Sequence, residues 1–172
     1  MSKILIIGAG RSSSSLIDYL LSNAKVNSWH ITIADANKAA VESKIAKYKE
    51  LATAVEFDVQ NVALREQLIG NVDFVVSMLP AFMHGDVARD CVKLGKHLAT
   101  ASYVSQDMKD LDVEATKKNL LLLNECGLDP GIDHASAMKV IHEIQEKGGK
   151  ITGFKSFCGG LVAPESNDRP WG

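Results

Sequence analysis

The stretch that most constrains this chain is Lys3-Ile4-Leu5-Ile6-Ile7-Gly8-Ala9-Gly10-Arg11-Ser12-Ser13. Its unbroken apolar run reads as a strand of a parallel sheet, covered on both faces. Two glycines separated by one residue follow, and the serines Ser12 to Ser15 lead into an amphipathic helical pattern. Strand, glycine turn and helix in this order open a dinucleotide-binding βαβ unit, in which the helix N-terminus faces a pyrophosphate. Gly8 permits the tight turn, and Gly10 lets backbone approach a phosphate without a Cβ in the way. Ser13 stands where a third glycine or an alanine would let helix and strand pack closely, so the fingerprint is incomplete.

The chain beyond the turn strengthens the reading. Leu16, Tyr19, Leu20 and Asn23 are expected on the sheet-facing side of the first helix, with Ile17 and Leu21 beside them. A second strand, His30 to Ala34, ends at Asp35, close to the spacing of about 20 residues expected for the acid that binds the adenosine ribose. The alternative for Asp35 is an N-cap for a helix spanning Asn37 to Glu50. A third strand is predicted at Ala54 to Phe57, followed by Asp58, which suits either an adenine-side loop or a turn. A short helix covers Leu64 to Ile69, and a fourth strand runs from Asp73 to Met78 until Pro80 ends it. Two further strand-helix units follow, Lys96 to Thr100 with a helix from about Gln106, and Leu120 to Leu123 with a helix from about His134. This alternation predicts an α/β fold, a doubly wound Rossmann-type parallel sheet with helices on both faces.

Ligands of such a sheet bind outside the carboxyl ends of its strands, so the loops there carry the candidate chemistry. Ser77 to His84 is one candidate wall of the nicotinamide pocket, with His84 itself read as a solvent-facing residue opening the next helix in preference to an acid or base. Cys91 repeats with Val87 and Leu94 and reads as a core thiol. The loop Thr100-Ala101-Ser102-Tyr103 offers hydroxyls for a polar substrate, or merely turn chemistry in which Ser102 or Ser105 caps a helix. The loop Asn124 to His134 sets Asp129 and Asp133 among glycines and Pro130, suiting either a ligand loop or a capped connection.

Composition narrows the partners. Of the 172 residues, 46% are hydrophobic and 23% charged, with a formal net charge of -2, which offers no electrostatic reason to expect nucleic acid or an anionic membrane. The start lacks the pattern of a signal peptide, and the expected location is cytoplasmic. The cysteines, Cys91, Cys126 and Cys158, are an odd number without a CxxC pair, so no metal site or disulfide framework is expected.

The motifs taken together resemble the saccharopine dehydrogenases that form L-glutamate, also called saccharopine reductases. The matching stretches are Ile4 to Gly10 with Leu16 to Leu20, Ser77-Met78-Leu79-Pro80, Thr100 to Tyr103, Gly127 to His134, and Cys158 to Glu165. The first is shared by many dehydrogenases, whereas the last two are specific. The resemblance implies an oxidoreductase of lysine metabolism. It would interconvert saccharopine with L-glutamate and 2-aminoadipate 6-semialdehyde by hydride transfer at a secondary amine.

The resemblance also implies site residues. Gly8, Gly10, Arg11 and Ser12 would line the pyrophosphate, Ser77, Leu79 and Pro80 would flank the nicotinamide ribose, and Tyr103, Asp129 and Cys158 would surround the amino-acid substrate. A carboxylate at Asp35 favours NAD, while Lys38 would offset its repulsion of the extra phosphate, so NADP stays open. The expected organisation is a dinucleotide-binding domain over 1–133. Residues 134–172 would be a connecting helix and the start of a second α/β substrate domain, with Lys150 to Phe157 as its first strand. On this reading the chain is a fragment that turns over poorly, and a homodimer would form through the missing part. The competing expectations are a carboxy-polyamine dehydrogenase, which acts on a similar amine, and a non-catalytic nucleotide sensor.

Overall fold

The computed structural model describes residues 1–159. The chain divides into two compact units, Met1–Gly131 and Ile132–Gly172. In the first, six parallel strands form one sheet: β1 Ser2–Ile7, β2 Trp29–Asp35, β3 Ala52–Glu56, β4 Phe74–Ser77, β5 His97–Thr100 and β6 Leu122–Leu123. Their order across the sheet is β3-β2-β1-β4-β5-β6, so the direction of winding reverses between β1 and β4. The reversal opens a crevice there, at the carboxyl end of β1, where the glycine turn lies.

The helices of this unit are α1 Ser14–Asn27, α2 Lys38–Ile45, α3 Val62–Gly70, α4 His84–Leu94 and α5 Gln106–Lys117. Alternation along β1 explains their division between two faces. Ile6 packs with Ile17, Leu21, Val41 and Ile45 of α1 and α2. Leu5 and Ile7 pack with Ile69, Val87, Cys91 and Met108 of α3, α4 and α5. Cys91 is a core thiol, fully buried, and burial beside Asp90 pushes its pKa up to about 12.

Several local expectations are corrected. The buried stripe of α1 is Ile17, Leu21 and Ala24, while Tyr19 is exposed. The stripe is thus displaced by one residue from the expected one, onto the residues placed beside it in the sequence reading. Helix α2 stops at Ile45 rather than continuing to Glu50. The chain must turn back over 46–51 so that β3 can begin at Ala52 opposite Ile31, and the Ile31 N–H donates to Leu51 O at 2.9 Å. β3 accordingly starts and ends earlier than Ala54 to Phe57, and β6 is shorter than Leu120 to Leu123.

One ionic contact has no sequence signal. Arg65 and Asp90, both buried, pair at 2.5 Å across α3 and α4, and Arg65 also donates to Val59 O. The pair is therefore hydrogen-bonded as well as neutralised, which a buried charge requires.

In the second unit, α6 spans Ile132–Glu146. The expected strand at Lys150 to Phe157 is not formed: residues 150–159 have no regular structure, and no described strand lies beside them to supply a ladder. The part of the Cys158 to Glu165 motif beyond Gly159 lies outside the described residues. No described helix is long and apolar enough to cross a membrane.

Candidate active site

The glycine turn is built largely by backbone. Gly8 has φ +99°, and a Cβ there would lie 2.9 Å from Met78 O, so both handedness and the close approach of the backbone just past β4 exclude a side chain. At Gly10 a Cβ would meet only open space, which leaves that face of the turn clear for a ligand. Ser13 compensates for the missing third glycine: it is fully buried, and its Oγ–H donates to Gly10 O at 2.8 Å. Arg11 and Ser12 are exposed in a 3-10 turn (Arg11–Ser13) ahead of α1. Neither that turn nor the first turn of α1 carries an acidic side chain of its own.

Asp35 closes the turn. Its Oδ2 accepts from the Ala9 N–H at 2.6 Å and its Oδ1 from the Asn37 N–H at 2.8 Å. The N-cap of α2 is Asn37, which accepts from the Ala40 N–H, and not Asp35. Lys38 pairs instead with Glu42 at 3.6 Å on its own helix. The cation at the turn is Lys44, unremarked in the sequence, whose Nζ donates to Ala9 O at 2.6 Å and Gly10 O at 3.0 Å. A cleft of about 240 Å³ runs past Gly8, Asp35, Asp58 and Leu79, with Asp58 also closing a turn onto the Gln60 N–H. These features fit a dinucleotide: a backbone turn without side-chain obstruction, a carboxylate at the end of β2 beside the turn and a cation held on the turn.

The other half of the edge is built by side chains. A second cleft of about 370 Å³ lies beyond β4, β5 and β6, lined by His84, Ser102, Tyr103, Asn124 and Asp129 among others. Tyr103 OH donates to Asp129 Oδ1 at 3.0 Å, so two of the three predicted substrate residues meet. Gly131 holds the Asp129 loop tight, because its φ of +146° and a Cβ only 2.2 Å from Gly127 O exclude any other residue. Cys158 is exposed and belongs to the second unit.

His84 corrects the sequence reading most. It is 4% exposed rather than solvent-facing, and its ring bridges Ser77 Oγ (Nδ1, 2.8 Å) and Ser102 Oγ (Nε2, 2.9 Å). Burial lowers its pKa from 6.5, because desolvation penalises the imidazolium. Ser77, expected beside a ribose, is wholly buried with its hydroxyl against the His84 ring. Leu79 lines the first cleft, and Pro80 precedes the 3-10 turn Ala81–Met83 that starts α4. Of the two serines considered as caps, Ser105 caps α5, accepting from the Met108 N–H. The position of His84 before a helix after a strand end was the one available signal, and periodicity could not distinguish inward from outward there.

Strand order, glycine turn and edge clefts define a Rossmann-type dinucleotide-binding fold. Residues 4–123 match the saccharopine dehydrogenase NADP binding domain and residues 127–172 the saccharopine dehydrogenase C-terminal domain. The chain belongs to the saccharopine dehydrogenase family. It is 38% identical, over its whole length, to saccharopine dehydrogenase [NADP(+), L-glutamate-forming] of Schizosaccharomyces pombe, covering 37% of that protein. It is also 38% identical to the alpha-aminoadipic semialdehyde synthase of Arabidopsis thaliana, over 98% of the chain and 17% of the relative. The solved apo structure of saccharopine dehydrogenase (L-Glu forming) from Saccharomyces cerevisiae superposes with a TM-score of 0.80 at 32% identity, over 99% of this chain and 37% of that one. The chain thus spans little more than a third of the fungal relatives.

Proposed function

We propose that this chain is the cofactor-binding part of an oxidoreductase that interconverts saccharopine with L-glutamate and 2-aminoadipate 6-semialdehyde. NADP, named in the family description and in the fungal relative, is the cofactor, with NAD as the weaker alternative. When bound, it supplies or takes up the hydride. Gly8, Gly10, Arg11 and Ser12 seat the pyrophosphate, Asp35 meets the adenosine ribose, and Leu79 and Pro80 border the nicotinamide end. The dinucleotide-binding domain is 1–133, and 134–172 begins the substrate domain; two successive family matches, over 4–123 and 127–172, support a two-part chain with its division in this region.

The observation that carries the reading is the Tyr103–Asp129 hydrogen bond in the second cleft. An ionised Asp129 accepts from Tyr103 with one oxygen and keeps capacity on the other for a substrate ammonium, stabilising its positive charge. Tyr103 fixes the direction of that carboxylate. Cys158 is assigned to the substrate side on the family resemblance. The test is saccharopine-dependent reduction of NADP by the whole protein and by an Asp129→Asn variant. Turnover that falls about a hundredfold in the variant, as expected for loss of one charge-assisted contact, supports the reading. Absence of saccharopine-dependent reduction in the unmodified protein overturns it.

A further inference from the structure

We infer that His84 is a positioning residue, locked by Ser77 as the Nε2–H tautomer, which makes the Ser102 hydroxyl a hydrogen-bond donor to a carbonyl or carboxylate oxygen in the second cleft. The inference deepens the proposed function and rests on that reading only for the names of the ligands.

The polarity follows from counting donors and acceptors. A neutral imidazole has one of each, so one serine donates to the ring and the other accepts from it. Ser77 Oγ has His84 Nδ1 as its hydrogen-bond partner at 2.8 Å and is wholly buried. Were it the acceptor, its own hydroxyl proton would be buried without a partner, a loss that native interiors avoid. Ser77 therefore donates to Nδ1, the proton of the ring sits on Nε2, and Nε2–H donates to Ser102 Oγ at 2.9 Å. Ser102 has already accepted, so its O–H is left to donate elsewhere. It is only half-buried and lines the cleft with Tyr103, Asn124 and Asp129.

The surroundings support a ligand there. Asn124 Oδ1, from the same lining, is buried without a hydrogen-bond partner. The Ser102 backbone is held independently, its N–H donating to Thr100 Oγ1 at 3.1 Å and its carbonyl accepting from the Glu125 N–H at 3.0 Å. The hydroxyl is thus aimed from a fixed loop, and only its proton direction depends on His84. Two ligand oxygens suit such a donor: a carboxylate of the amino-acid substrate and the carboxamide oxygen of the nicotinamide.

The test uses the whole protein. With ¹⁵N-labelled histidine, NMR at neutral pH should show the His84 ring protonated at Nε2 and bare at Nδ1, the signal being assigned by its loss in His84→Gln. Protonation at Nδ1 overturns the inference. Ser102→Ala should then weaken one ligand by roughly tenfold to a hundredfold: the KM for saccharopine if the oxygen is a carboxylate, or the dissociation constant of the nicotinamide cofactor if it is the carboxamide. Unchanged values for both overturn it. His84→Gln retains a donor toward Ser102 and should recover part of the affinity that His84→Leu loses, and equal losses in the two count against the positioning role. Because the tautomer is read without substrate, a protein inactive on saccharopine would sink the functional reading while leaving this inference to be judged on its own.

Discussion

The two halves of the ligand edge are built on opposite plans. At the glycine turn the surface offered to a ligand is mainly backbone, drawn from residues close in sequence and tied down by Asp35 and Lys44. Beyond β4 to β6 the surface is made of side chains from three separate loops, joined as Ser77–His84–Ser102 and Tyr103–Asp129. A backbone site depends on a few permissive residues. A side-chain site depends on how the elements beneath it are held together, because each hydrogen bond spans two of them.

The largest test of that difference lies below the side-chain half. His84 opens α4, and α4 is tied to α3 by the buried Arg65–Asp90 pair. Asp90→Ala leaves a buried guanidinium without its counter-ion and should cost about 3–5 kcal/mol in urea unfolding. A loss below about 1 kcal/mol would show that the pair does not anchor this half. In the backbone half, Gly8→Ala forces a side chain into φ +99° and against Met78 O, with an expected loss of about 2–3 kcal/mol and of cofactor binding. If the variant keeps both stability and affinity, the turn is not a constrained site.

The smallest effect is on pH dependence, and it reports on the side-chain half alone. His84 has a pKa lowered by burial, so the unfolded chain takes up a proton more readily than the folded one as pH falls below 6.5. Its contribution is present in full above 6.5 and is lost progressively as pH falls from 6.5 toward the lowered folded value. Denaturation midpoints of the parent should fall through that window, and those of His84→Gln should fall less. Parallel curves would remove His84 from the account.

How much of this was legible beforehand follows the same division. The glycine turn, the placement of Asp35 at a strand end and the alternation of strands and helices could be read directly, because they are local patterns with fixed spacing. Tyr103 and Asp129 stood in loops that the strand ends marked, but their place around a substrate, like that of Cys158, came through family motifs. His84 was misread and Arg65–Asp90 unseen, since a His at the head of a helix and an Arg within one look like surface residues until neighbouring elements cover them. Helix α2 was overextended for a related reason: its end is set by where β3 must pair, not by its own residues.

By itself, then, the sequence determined the succession of elements, the buried parallel strands and a tight turn at Gly8. Tertiary structure alone decided that Ser77, His84 and Ser102 form one hydrogen-bonded chain, that Tyr103 reaches Asp129 and that Lys44, rather than Lys38, sits on the glycine turn. The physical reason is that periodicity specifies the face from which a side chain projects. The group it meets there depends on the order in which the strands assemble.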